Sequence, residues 1–224
     1  TKKLFSKWAF ALLLFGFGFT SNANNLQISG TAVSGSNISF NVSWENSWNA
    51  SLAPSNWDAV WIFVKYQDCA TRQWYHAAIA TTGNTAASPL QVDLVSDAKG
   101  VFLRRSALGG GNIPSTAVTL ALNIPAGTYN YKVYGVEMVH IPQGDFQVGD
   151  GTSVATYNSI TINAAAQSSG LSTATLGGSS AAVPATFPMG YNAFYSMKYE
   201  MTQEQYVEFL NTLTYDQQKE RTSI

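Results

Sequence analysis

Apolar and polar positions alternate with a period of two through much of the chain before residue 142, and only near the end does a helical period replace it. Asn37–Trp44 sets Ile38, Phe40, Val42 and Trp44 on one side and Ser39, Asn41 and Ser43 on the other, the pattern of a half-buried strand. Ala59–Tyr66 is apolar on both parities as far as Lys65, which predicts a central strand covered on both faces. Gln73–Ile79 follows a polar loop and is expected to fold back on that strand as a hairpin, and Val118–Ile124 is a further strand. Pro125-Ala-Gly127 turns it into Thr128–Ile141, where Tyr129, Tyr131, Val133 and Gly135 oppose Asn130, Lys132 and Tyr134. No helix is predicted between Asn25 and Val136. Strands at this spacing, separated by Gly, Pro, Ser and Asn turns, predict an antiparallel β-sandwich over residues 24–136.

Thr128–Ile141 has no break, so the last strand of this sandwich is expected to run without a linker into a second region, residues 137–224. Past Ala164 the composition becomes small, uncharged and aperiodic, which predicts a flexible surface loop over 165–186. The helical period then appears. Thr202 is placed as N-cap, Gln205 closes a capping box, and Met201 and Tyr206 have the spacing of a hydrophobic staple. Tyr206, Phe209, Leu210 and Leu213 recur at i, i+3, i+4 and i+7, the predicted buried face, and Glu204 suits the positive end of the helix dipole.

Two ordered motifs in this second region carry a resemblance. One is Val139-His-Ile-Pro-Gln-Gly-Asp-Phe-Gln-Val-Gly149; the other runs from Lys198-Tyr-Glu through Leu210-Asn211. Together, over roughly 137–215, they resemble the opening of the formylglycine-generating enzyme (sulfatase-modifying factor) family. After the sandwich read from the alternation, the resemblance implies the truncated start of an α+β domain of the formylglycine-generating-enzyme-like, C-type-lectin-like kind, so that the chain as a whole is expected to be mainly β with some α. In that family catalysis depends on two cysteines and copper, far towards the C-terminal end of the domain. Cys69 precedes the domain, so no catalytic, cofactor-binding or metal residue carries over to this sequence. Copper is implied only for an intact parent that is an oxidase.

Composition narrows the partners. A net charge of −1, with 11% of residues charged, leaves no basic stripe to neutralise phosphates, and nucleic acid is not an expected partner. One cysteine excludes an internal disulfide, and two histidines, His76 and His140, are too few for a metal cluster by themselves. Residues 1–23 read as a secretory signal peptide: Lys2, Lys3 and Lys7, an apolar run Trp8–Phe19, and a small-x-small site at Ser21-Asn-Ala23. That run is shorter than the roughly 20 residues that span a bilayer, so no membrane span is expected after cleavage. The mature chain is expected to be exported to the periplasm, the cell surface or the medium. A first residue of Thr and an end soon after a helix are expected of a fragment of a longer protein.

Five of the six tryptophans fall between Trp44 and Trp74. Trp44 and Trp61, on predicted strands, are expected in the core, where aromatic side chains dominate the energetics. Trp48 and Trp57 flank a Ser/Asn/Pro loop and, with Asn56 and Asp58, form a candidate ligand platform. An exposed indole stacks on the C–H face of a sugar while neighbouring amide and carboxylate groups bond its hydroxyls. Cys69 beside Arg72 is a candidate reactive thiol with no base placed next to it, and Asp145, Asp150 and Gly151 are accounted for by turn chemistry.

Three functions follow from these readings. The first is a non-catalytic extracellular binding or structural module with a glycan or protein ligand. The second is a formylglycine-generating oxidase whose catalytic cysteines lie beyond residue 224. The third is a carbohydrate-binding β-sandwich.

Overall fold

The structure is a computed structural model that describes residues 25–149, 159–176 and 181–222. The expected signal peptide lies outside these residues, as do Asp150 and Gly151. The described chain is mainly β and its strands pair antiparallel.

One sheet is built from β1 (Gln27–Ser34), β2 (Asn37–Asn49), β9 (Gly109–Asn123) and β5 (Ala78–Ile79) in that order, with β6 (Thr85–Ala86) also on β9. The other has the order β13 (Phe194–Met197), β10 (Tyr129–Ile141), β3 (Asp58–Asp68), β8 (Val101–Arg105) and β7 (Leu90–Leu94), with β4 (Trp74–His76) also on β3. The alternation along each strand decides what faces inward. Ile38, Phe40, Val42 and Trp44 from β2 and Val118, Leu120 and Leu122 from β9 meet Val60, Ile62, Val64 and Tyr66 from β3 and Val101 and Leu103 from β8 in a single buried cluster. Each such side chain contributes roughly 1.5–3 kcal/mol on leaving water, so this cluster is where the fold's stability is concentrated.

The central strand β3 is covered on both sides, as its apolar run requires. Its outward residues Trp61 and Phe63 are half-buried. Trp61 is therefore not a core residue as its strand position led us to expect. It lies on the outer face, tilted against Phe102 at 4.8 Å between ring centroids, and over Gly100, where a Cβ would come within 2.7 Å of its ring. The expected hairpin from Gln73 to Ile79 is also only half realised. β4 pairs with β3, Tyr75 opposite Tyr66, but Ala78 and Ile79 cross over to pair with Asn123 and Leu122 of the first sheet. Ala77, fully buried between them, marks the crossing.

β10 is one unbroken strand shared by two regions. Its residues Tyr129–Val139 pair with β3, while Met138–Ile141 pair with β13, Ile141 opposite Phe194. Beyond it, β11 (Phe146–Val148) and β12 (Ile160–Ile162) form a separate ladder. The described parts of 165–186, residues 165–176 and 181–186, have more structure than their composition indicates. They open in α1 (Ala164–Ser169), capped by the Asn163 side chain accepting from the Ala166 N–H, and Leu171 then bridges to Val183. Alanines favour helix, and Gly170, at φ 80°, ends it in a backbone region open to glycine.

α2 (Gln203–Leu210) begins at the expected cap. Thr202 accepts from the Gln205 N–H and the Gln205 side chain accepts from the Thr202 N–H, the reciprocal pair of a capping box. α3 (Tyr215–Thr222) follows. The face assignment of α2 needs correction: none of its residues is buried, and Tyr206 and Phe209 are each 39% exposed. The helix docks through more polar positions, with Thr212 accepting from Lys65 Nζ at 3.0 Å and Glu208 pairing with Lys132. Two lysines on the outer face of the sheet thus help hold the helix, and its apolar stripe is left half-buried or exposed, with Phe209 at the cleft described below.

Candidate functional site

Two clusters form where the C-terminal region meets the second sheet. The first surrounds Asp58. β2 loses register between Val42 and Ser47, and Asn46 there adopts φ 53°, a left-handed conformation that Asn tolerates better than most residues. The irregularity brings Ser47 and Trp48 onto Asp58: Ser47 Oγ donates to Oδ1 at 2.7 Å and the Trp48 N–H donates to the same oxygen at 2.9 Å. Oδ2 accepts from Trp44 Nε1 at 2.9 Å and from Lys198 Nζ at 3.3 Å. Asp58 is 1% exposed, so a carboxylate that would be costly to bury alone is met on both oxygens. Lys198 also lies 4.5 Å from the Trp48 ring centroid.

The second cluster surrounds Trp57. Its ring stacks on His140 with centroids 3.8 Å apart and planes within 4°. The Arg104 guanidinium lies 4.8 Å from the ring centroid, and the indole N–H donates to the Tyr195 hydroxyl at 3.1 Å. Tyr195 in turn stacks on Phe102 at 3.7 Å. Burial, and secondarily the Arg104 charge, hold the His140 pKa below its ordinary value. Burial likewise raises that of Tyr195. The His140 Nδ1 atom is buried with no hydrogen-bond partner among the described residues, consistent with a neutral ring.

These contacts locate the four platform residues nominated from sequence. Asp58 is buried and engaged, so it is not available to an external hydroxyl. The Asn56 side-chain oxygen accepts from Trp48 Nε1 at 3.1 Å. Trp48 and Trp57 are half-buried, each with a protein cation at its ring. Asp58, Trp48 and Trp57 therefore join the two regions of the chain, while Asn56 supports Trp48 within the first. Cys69 is exposed in its loop, and the ring nitrogen Nε2 of His76 is hydrogen-bonded with the Lys99 carbonyl. Among the described residues no three His, Cys, Asp or Glu side chains gather as metal ligands.

What sequence reasoning missed is a cleft of about 780 Å³ between β10 and the segment Tyr199–Phe209. Trp61, Phe63, Tyr134, Val136, Met138 and Tyr199 are among its apolar lining, with Glu200 and Glu204 on the opposite wall. Leu26 and Ile28 also line it. They come close to β10 because residue 135 is glycine: a Cβ there would lie 2.9 Å from Ile28 Cδ1. The Tyr134 hydroxyl is buried without a partner among the described residues, and burial pushes its pKa up to about 12. The signal for this cleft was present as outward apolar residues on β3 and β10, which two-sided burial alone accounts for equally well. No family model, no curated protein and no solved structure matches the chain.

Proposed function

We propose that this chain is an exported, non-catalytic binding module whose ligand enters the cleft between β10 and Tyr199–Phe209. The observation that carries the reading is the cleft itself. It combines an aromatic and aliphatic lining, a buried tyrosine hydroxyl with no partner among the described residues, and carboxylates at its wall, the mixture of apolar surface and few polar groups typical of ligand sites. Export rests on the basic and apolar pattern of residues 1–23.

The finer fold belongs to the same proposal: an antiparallel sandwich joined to the start of a formylglycine-generating-enzyme-like, C-type-lectin-like domain. Its support is the single cluster between the two sheets and β10 itself, which carries Val139–Ile141 of the first motif and accepts, at the Glu137 carbonyl, from the N–H of Lys198, where the second begins. An oxidase remains the alternative for a longer parent, and reading the downstream sequence for a late pair of cysteines decides it. A glycan-binding sandwich has less support, since Trp48, Trp57, Asn56 and Asp58 are spent on internal contacts.

Glycan and peptide arrays probed with the purified chain test the proposal. Retention is expected on at least one array, and Tyr199→Ala is expected to lower it about tenfold or more while the fold survives, because Tyr199 is a half-exposed aromatic of the kind that anchors ligands. Retention indifferent to Tyr199→Ala removes the cleft as the site.

A further inference from the structure

The open edge of β10 lies in the cleft, and its backbone shows which groups face outward. On one side, the Cys69 N–H donates to the Thr128 carbonyl at 3.2 Å and the His140 N–H donates to the Trp57 carbonyl at 2.9 Å. Even-numbered residues of β10 therefore address β3 with their backbone groups. On the other side, the Lys198 N–H donates to the Glu137 carbonyl at 2.9 Å. Odd-numbered residues face the β13 side. β13 pairs with β10 only over Met138–Ile141. Among the described residues, no strand pairs with Tyr131, Val133 or Gly135 on that side. Their outward N–H and C=O groups form an unpaired strand edge, a ready template for another strand.

The edge is neither flat nor free on all sides. Tyr131 to Gly135 spans four residue steps, roughly 14 Å at about 3.4 Å per residue. Leu26 and Ile28 flank it on one side and Tyr199–Gln205 on the other. The charges around it are unequal. Two lysines, Lys65 and Lys132, face four glutamates, Glu137, Glu200, Glu204 and Glu208, around the cleft; Lys132 is paired with Glu208, Lys65 keeps its charge while donating to the neutral Thr212 hydroxyl, and Glu200 and Glu204 are exposed with no ion-pair partner among the described residues.

We propose that the ligand of this cleft is an extended peptide segment that adds as a strand to the β10 edge at Tyr131, Val133 and Gly135, with a basic side chain directed to Glu200 and Glu204. This deepens the proposed function and rests on it. Main-chain hydrogen bonds supply the affinity. The aromatic lining receives alternate side chains, and the carboxylates select for a Lys or Arg.

The test uses the full chain and the peptide acetyl-Lys-Thr-Val-Thr-Val-Thr-Lys-amide, with a second peptide N-methylated at alternate residues so that one edge cannot donate. In the free chain, the amides of Val133 and Gly135 are expected to exchange rapidly with solvent while those of Tyr134 and Val136 are protected by β3. Bound peptide is expected to shift the Val133 and Gly135 amide resonances and slow their exchange on the order of tenfold or more. The N-methylated peptide is expected to do neither. The double variant Glu200→Gln/Glu204→Gln is expected to weaken binding roughly three- to tenfold, the range for two exposed charge pairs.

Peptide binding that moves Tyr199 and Trp61 but not Val133 or Gly135 overturns strand addition and leaves the cleft as a binding site. No binding of the peptide at the cleft overturns strand addition by such segments, and ligands of other chemistry retained on the arrays would leave the binding module standing. Val133 and Gly135 amides already protected in the free chain, with sedimentation as a dimer, would assign the edge to a second copy and overturn the proposal.

Discussion

The two regions that share β10 are held together by different physics. Between Ile38 and Leu122, seventeen buried side chains form one cluster, and strand alternation decides almost every member. After Ile141 the buried residues among those described reduce to Ile162, Ala166 and Thr212, while Phe187, Tyr199, Met201, Val207 and Tyr215 are all well exposed. The first region is stabilised by packing. The second is attached through a few directed contacts: the β13 pairing, Lys198 on Asp58, Tyr195 on Trp57 and Phe102, and two lysine contacts under α2. A region built this way can present apolar surface and a cleft without endangering the core, which is the arrangement a binding module needs.

The contrast is sharpest in the core. Leu103→Ala removes a fully buried side chain and is expected to lower global stability by about 3–4 kcal/mol in urea unfolding. Val207→Ala, at a residue 52% exposed on α2, is expected to stay within about 0.5 kcal/mol. Comparable losses at both sites would contradict the division into packed and attached regions.

Lys198→Met comes next. It leaves the Asp58 carboxylate buried with its three remaining donors but without its countercharge. A loss of about 2–3 kcal/mol is expected, less than for a buried charge stripped of all partners. If tryptophan fluorescence and backbone circular dichroism report the same unchanged midpoint as the parent chain, the Asp58 contact is not a fastening.

Much of this was legible in advance. Alternation located β2 and β10, a run apolar on both parities located β3, and the Thr202–Gln205 box placed the start of α2. Other features were not. β8 and β7 are short, and their inward Val101, Leu103 and Leu90 lie too close to charged and polar neighbours to make a strong period. β9 begins at Gly109, inside a glycine run with no side chains to show a pattern. The stripe Tyr206, Phe209, Leu210, Leu213 marks a helix correctly but not how deeply it is buried, because the helix is fastened by polar contacts to two lysines on strands distant in sequence. The same limit applies to the candidate platform. Asp58 looks like a loop carboxylate in sequence, and only the β2 irregularity and a lysine 140 positions later make it a buried junction.

The smallest expected effect concerns pH. The pKa of His140 is held below its ordinary value of 6.5 in the fold, first by burial and then by Arg104, with Trp57 and Tyr195 against its ring. The unfolded chain takes up the proton at the ordinary value and the folded chain does so only at lower pH. The histidine's contribution is therefore complete above about pH 6.5 and is lost as pH falls through the folded pKa. His140→Gln is expected to flatten the dependence of stability on pH between 7 and 5. An unchanged slope would show that the ring's environment does not discriminate between its charge states.

The claim on which the rest depends is that β10 is one strand serving both regions. Limited proteolysis of the native chain, with fragment masses mapped to sequence, addresses it most directly. The expected cuts fall in exposed loops, and the segment Gly135–Ile141 survives intact. A folded fragment released by preferential cleavage inside Gly135–Ile141 would mean that the strand is a linker, and the cleft built against it would not exist as described.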